Sequence, residues 1–550
     1  MYLQKSSIIF SPEYGFCKGV LNMSRFLSFM LTTLIGISYL GASVFEKTNP
    51  VDQKLPVNRI LYALWNQHDI AVPAPVSDAA FLRRATLTLA GRLPSADEVR
   101  NFVNSDENNK YDLLIDKLLV SDDYADMQAM RFADMLRIKS EFPINLWPNA
   151  VQFYHRTVRD DLKRDRPLNE LFYELLTASG SNFRNAYANF FRASADRSPI
   201  GLAKMVLLTT MNMRESSFSA GELEKFARLF SCIRYKSTYE WKEEIVFNAV
   251  EPAEFTAMLP DGSTVQVNSA QTDPRKVFAD WLLKTDNDYF ARAMVNKVWY
   301  WVFGRGIYPV ADNLPEIAEK SFWNIFSQPM ASDNVPFSEE LQNCLISEFK
   351  KSNYSLRALY KLILQTASFR ASSRLQSEEN LQYFAVYPVR RMESELLIDA
   401  LAFITKGYDR YMSVIPEPFT YLPWDTKAIN IADGSISTGV LDSFGRPPRD
   451  SGQISERNTA SSDSQGLYLM NSAALYRRIQ NYCKRQQGKY RYESERLDRI
   501  YMDILSRYPT ERERKAFSKY ALDLEPKVRF LAWIDTVWVL LNSKEFIFYH

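Results

Sequence analysis

The sequence predicts a mainly α fold, a multi-helical array of helical hairpins, and three observations lead there. A residue spacing near the start of the chain returns near its end, apolar residues recur at helical intervals through most of the length, and strand-like alternation is confined to one short region. The returning spacing is Arg84, Arg92, Pro94, Ser95 and Glu98 in one copy and Arg499, Arg507, Pro509, Thr510 and Glu513 in the other. Each copy leaves an apolar run, turns at a proline and restarts with a hydroxyl three residues before a glutamate. That pattern is a capping box, in which the hydroxyl accepts from the N3 amide and the carboxylate reaches back to the N-cap amide. Downstream, Tyr111, Leu114, Ile115, Leu118 and Leu119 in one copy and Leu531, Ile534, Val537, Trp538 and Leu541 in the other are helically spaced. Both stretches stop at a serine with an aromatic three residues on, Ser121 to Tyr124 and Ser543 to Phe546, and Thr366 to Phe369 repeats that ending.

Taken in order, residues 1–45 read as a signal peptide or an N-terminal membrane anchor. Phe26 to Phe45 carry no charge, Arg25 precedes them, and Gly41-Ala42-Ser43 resembles a cleavage site; the start lies at Met1 or Met23. Either version places the bulk outside the cytoplasm, in the periplasm or at the cell surface. Residues 54–243 form an N-terminal helical domain, with Phe153, Val158, Leu162, Leu171, Phe172, Leu175 and Leu176 at helical spacing. Residues 244–270 read as a β-hairpin insertion, from Ile245-Val246-Phe247, a Pro-Asp-Gly turn at Pro260 to Gly262, and the alternating Thr264-Val265-Gln266-Val267. Residues 271–550 form a C-terminal helical domain, in which one helical pattern runs from Val277 through Asn287 to Phe303 and ends at Gly304 and Gly306. A further helix runs from Val389 to about Ile404. Between Gly407 and Gly466 the pattern lapses, yet Phe419, Tyr421, Leu422, Trp424, Ile429, Ile431, Leu441 and Phe444 supply anchors. So long a coil inside a compact domain has a job or is disordered, and the anchors predict an ordered irregular segment laid over the helices.

Composition narrows the function. Sixty-seven Lys and Arg against 65 Asp and Glu leave a net charge of +2, so no overall field draws the chain to nucleic acid, which is not an expected partner. The four cysteines, at positions 17, 232, 344 and 483, form no disulfide framework and lack the spacing that covalent haem attachment requires. Three histidines, His68, His155 and His550, rule out a His-rich metal helix, and neither a nucleophile elbow nor a phosphate loop occurs. No metal, haem or other cofactor is expected.

Three groups of residues are candidates for binding. On the helix after Pro388, Arg391, Glu395 and Asp399 fall four apart, so the spacing puts a cation and two carboxylates on one face; such a pair suits acid–base work or simple neutralisation by arginine. On the helix before Gly304, Arg292 and Asn296 lie one turn apart beside Trp299, as a ligand clasp or a buried packing clasp would. The irregular segment carries the densest polar set, Glu417, Asp433, Arg446, Arg449, Asp450 and Glu456, stiffened by Pro447 and Pro448.

Two runs of residues then fix a resemblance. Phe81-Leu82-Arg83-Arg84 through Leu93-Pro94-Ser95, followed by Tyr111, Leu118-Leu119, Ser121 and Tyr124, resembles the second-type planctomycete cytochrome-associated domain. Asp273-Pro274-Arg275, Ala279-Asp280-Trp281-Leu282, Phe290-Ala291-Arg292, Asn296-Lys297-Val298-Trp299, Phe303-Gly304-Arg305-Gly306, Arg390-Arg391-Met392-Glu393-Ser394-Glu395 and Leu540-Leu541-Asn542-Ser543 with Glu545-Phe546 resemble its companion, the planctomycete surface domain. The resemblance implies an exported protein from bacteria rich in polysaccharide-degrading genes, often accompanied by a secreted sulfatase-like protein. Many members carry c-type haem motifs. This chain has none, and Trp241 to Glu244 with Ile415 to Thr420 look like a haem-free subgroup. The expectation is an exported, non-haem helical binding or scaffold protein acting with a sulfatase-like hydrolase in polysaccharide degradation, with a glycan as ligand and membrane contact only through the N-terminal segment. The alternatives are a carboxylate-dependent hydrolase of glycans or sulfated sugars, using Glu395 and Asp399 or Asp433 and Asp450, and a structural component of the envelope.

Overall fold

Ser95 and Thr510 each begin a helix as their spacing predicts, and the likeness of the two copies extends to individual atoms. In the computed structural model the first copy is a helix Asp78–Ala90, a reversal at Gly91, and helices Ala96–Val103 and Lys110–Leu119. The second is Glu493–Leu505, a reversal at Ser506, then Glu511–Asp523 and Phe530–Leu541. Both capping boxes are complete. Arg92 forks onto Glu98 at 2.8 and 3.0 Å while its Nε donates to Asp123 at 2.8 Å. Arg507 repeats the arrangement on Glu513, at 2.8 Å to each oxygen, and on Glu545, at 2.6 Å. Ser121, Thr366 and Ser543 each accept from the amide three residues on and donate to the carbonyl three residues back. One hydroxyl thereby serves the end of one helix and the start of the next, because both termini leave backbone groups unsatisfied.

The structure describes residues 51–249, 253–317, 334–374, 376–415 and 420–550. The apolar stretch Phe26 to Phe45, Glu417 and Phe419 lie outside them. Among the described residues no helix is long and apolar enough to cross a membrane. The fold is mainly helical, and its apolar side chains form one continuous core reaching from Val51 to Tyr549.

The two copies dock on each other. Arg83 donates to Ile504 O at 2.9 Å, Ser506 Oγ at 3.2 Å and Phe546 O at 2.8 Å, so the first copy grips the second copy's corner. They differ at the reversal. Gly91 has φ +61° and a Cβ there would strike Ile429 of the irregular segment, whereas Ser506, at φ +59°, keeps a side chain because Arg83 uses its hydroxyl.

Three expectations need correction. The strand Glu244–Asn248 does not belong to the hairpin around Pro260; it pairs antiparallel with Ile233–Ser237 and with Gly180–Ser181, while the hairpin joins Glu254–Met258 to Thr264–Asn268. The pattern through Asn287 is two helices, Pro274–Leu282 and Tyr289–Phe303, because Asn287 Oδ1 accepts from the Tyr289 amide and restarts the turn. The helix expected from Val389 begins only at Ser394, since Arg390–Arg391 pair as a short strand with Phe548–Tyr549 at the end of the chain.

The corners predict an asymmetry. Arg507→Ala lowers unfolding stability by about 3 kcal/mol, as loss of one member of a buried pair does. Arg92→Ala costs clearly less, because its side chain is 28% exposed against 8% for Arg507. Urea unfolding of the two variants measures both.

Candidate functional site

The irregular segment is fastened to the helices by its own polar residues and theirs. Asp399 accepts from the amides of Ala428 and Ile429 at 2.7 and 3.0 Å. Asp433 accepts from Ser140 and Ser435 amides at 3.0 and 2.9 Å, and Gly434 N donates to Ile138 O. Arg391 donates to Phe444 O and Asn458 O. Glu456 gathers the amides of Asp450, Ser451 and Gly452, which fixes the turn that carries Asp450, and Lys139 pairs with Asp450 at 2.6 Å. Asp312 accepts from Ile454 and Ser455 amides at 2.8 and 2.9 Å.

At the centre stands a buried ionic network. Asp134, on the Asp122–Met135 helix, takes Arg449 Nε on one oxygen at 2.8 Å and Arg457 on the other at 2.7 Å. Arg457 then forks onto Glu395 at 2.5 and 3.1 Å, and Arg446 Nε lies 3.4 Å from the same carboxylate. Burial opposes charge on Glu395, yet the guanidiniums of Arg457 and Arg446 outweigh it and hold the carboxyl well below the ordinary range. Asp399 differs: burial pushes it up to about 7 despite its two amide donors. Glu395 and Asp399 therefore lie in unlike environments one turn apart, each turned into the segment.

Arg292 and Asn296 face elsewhere. Arg292 donates to Pro315 O at 2.6 Å; Asn296 Oδ1 accepts from Ile307 and Tyr308 amides and its Nδ2 donates to Ala311 O. They clasp the chain after Gly304 against its own helix. His155 is also buried, and burial drives its pKa down to about 3, so the ring is neutral. Cys232, Cys344 and Cys483 are free thiols.

The other side of the same helix opens on a narrow cleft with a cavity volume of about 50 Å³. Four parts of the fold wall it: Arg131 and Asp134; Lys297, Tyr300 and Trp301; Arg390 and Glu393; and the segment from Gly452 to Thr459 with Pro447. Tyr300 and Trp301 are half-buried there. Glu393 is held at about 2, burial being outweighed by Arg390, 3.0 Å away, and by Arg131 and Arg457. Lys297 is 2% exposed and makes neither hydrogen bond nor ion pair with any described residue. Among the described residues no three His, Cys, Asp or Glu side chains gather as metal ligands would.

Of the residues singled out in the sequence, Glu395, Arg446 and Arg449 join the ionic network behind this cleft, and Asp450 and Glu456 shape the turn beside it. Arg131, Asp134, Lys297 and Glu393 were not foreseen as a group. Lys297 alone left a signal, a charge on an otherwise largely apolar helix whose neighbours Ala293, Met294, Val295 and Val298 are all buried.

This defines a class: a mainly helical protein without haem-attachment cysteines, its two end motifs docked on each other and a charged cleft elsewhere in the fold. Residues 56–216 match the family PSCyt2, a protein of unknown function (DUF1549), and residues 274–322 and 327–521 match PSD1, a protein of unknown function (DUF1553). The chain carries these two domains in tandem and belongs to the proteins so built. Comparison with curated proteins and with solved structures found no match.

Two measurements test these buried and half-buried carboxylates. Glu395→Gln lowers unfolding stability at neutral pH by about 3 kcal/mol, because Arg446 and Arg457 lose a buried partner charge. Glu393 and Glu98, both depressed from 4.5 to about 2, stabilise the fold fully above pH 4.5 and lose that contribution as pH falls toward 2. Chemical unfolding across that window shows a falling midpoint.

Proposed function

We propose that this protein binds an anionic, hydroxylated ligand in the cleft between the Asp122–Met135 and Tyr289–Phe303 helices, and that the ligand is a sulfated or otherwise acidic saccharide. The observation that carries the reading is the composition of the wall. Three guanidiniums, Arg131, Arg390 and Arg457, and the amine of Lys297 line it beside two carboxylates, Asp134 and Glu393, and the half-buried rings of Tyr300 and Trp301 offer flat apolar surface beside them. Guanidiniums suit oxyanions, and few polar groups set among aromatic surface are what ligand clefts use for orientation.

Binding is favoured over turnover by where the carboxylates are spent. Glu395 is neutralised by arginines, Asp399 and Asp433 serve backbone amides, and Asp450 pairs with Lys139. In this reading the protein acts outside the cytoplasm, presenting or retaining polysaccharide for a secreted sulfatase-like hydrolase; that placement rests on the apolar stretch Phe26 to Phe45 and on the tandem resemblance. The ionic network supports it by giving the cleft rigid walls.

Titration calorimetry with sulfated galactan oligosaccharides, and with the same oligosaccharides after desulfation, tests this. Sulfated chains bind, desulfated chains bind at least about tenfold more weakly, and added salt weakens the former. Trp301→Ala lowers affinity by about 1–2 kcal/mol. Equal affinity for both chains overturns the anionic reading, and shortened oligosaccharide products overturn binding without turnover.

A further inference from the structure

Lys297 is an unusual presence on its helix. The Tyr289–Phe303 helix runs through the core, and every residue from Tyr289 to Trp299 on it is buried. An ammonium group so placed costs several kcal/mol unless it is paired, and among the described residues Lys297 has no pair. Lys297 nevertheless lines the cleft, between Arg131 and Asp134 on one wall and Arg390 and Glu393 on another. The charges around it do little to keep a proton. Asp312 attracts one, but both Asp312 oxygens are taken up by the Ile454 and Ser455 amides. Arg137 repels one, and the cleft adds Arg131, Arg390 and Arg457, with Asp134 and Glu393 committed to arginines. Burial, the largest influence, lowers the lysine to about 7. At neutral pH much of it is free amine, a nucleophile rather than a point charge.

We propose that Lys297 is a carbonyl-capturing site, at which the amine condenses with the aldehyde or ketone carbon of an open-chain reducing saccharide held in the cleft. The nitrogen lone pair adds to the carbonyl carbon to give a carbinolamine. Its hydroxyl then leaves as water, carrying with it both amine protons, and a C=N bond remains; no oxidant or reductant is consumed. Tyr300, one turn along the same helix and lining the same cleft, is the oxygen-bearing group nearest in sequence that could exchange protons with that water. The guanidiniums hold the anionic substituents of the same molecule, so this site supplies the end of the ligand that the proposed saccharide reading leaves undefined. It rests on that reading for the cleft as binding site, though not for the ligand's charge.

The full chain is incubated with glyceraldehyde and cyanoborohydride, which reduces an imine to a stable secondary amine, and labelled lysines are mapped by peptide mass spectrometry. Lys297 is labelled at least about tenfold faster than surface lysines at pH 7, since far more of it is uncharged. Its rate rises with a midpoint near 7 rather than near 10.5. Lys297→Met removes that label and raises the melting temperature, because below pH 10.5 the unfolded chain binds a proton that the folded chain disfavours. Retained circular dichroism in Lys297→Met shows that the lost label is not lost folding. Labelling of Lys297 no faster than the surface lysines overturns the proposal even if sulfated oligosaccharides bind. Fast labelling without sulfate-dependent binding upholds it and removes the anionic reading alone.

Discussion

The structure depends on a chain of buried and half-buried charges running Arg449, Asp134, Arg457, Glu395 and Arg446. These five side chains come from three places: Asp134 from an N-terminal helix, Glu395 from a helix of the second half, and the three arginines from the irregular segment. Taking charges out of water is expensive, and an apolar cluster of equal volume is often as stable. What ions add is direction. Arg457 reaches both Asp134 and Glu395 only when the segment lies in one register, so the network fixes how coil meets helices and hence the shape of the cleft beside it.

The same logic explains how so long a coil is held without regular structure. Buried backbone amides and carbonyls must find partners, and in a coil they cannot find them in each other. Here side chains of the helical frame supply them: Asp399 to Ala428 and Ile429, Asp312 to Ile454 and Ser455, Arg391 to Phe444 and Asn458. The candidate carboxylates read from the sequence are largely these anchors. Polar density in the segment marks attachment, and the cleft opens where attachment stops, at Lys297, Tyr300 and Trp301.

The two corner motifs show a local design tied to a global one. Within each copy, a forked arginine, a capping glutamate and a second carboxylate two residues past a helix-starting serine lock three helices at one point. Between copies, Arg83 joins the corners, although nothing in the spacing singles it out from Arg84 beside it. Arg84 turns the other way, to Ala371 O and His550 O. Adjacent arginines on one helix thus serve two separate contacts with distant parts of the chain.

Much of the helical layout was legible in the sequence because its signals are local: a hydroxyl three residues before a glutamate caps a helix wherever it lies, and apolar spacing reports a buried face without naming the neighbour. The hydroxyl endings at Ser121, Thr366 and Ser543, the stop at Gly304 and the ordered coil after Gly407 follow from such signals. Strand partners did not, because pairing Glu244–Asn248 with Ile233–Ser237, or Arg390–Arg391 with Phe548–Tyr549, is a choice among distant segments. The cleft was illegible for the same reason. Asp134 looks like an ordinary surface carboxylate, and the spacing that singles out Glu395 does not name the arginines of the segment that folding brings to it; Lys297 is enclosed only once helix and coil close around it. Sequence alone set which stretches coil into helices and where they end; tertiary packing decided which charges meet, because electrostatic strength depends on distance and burial that no single segment contains.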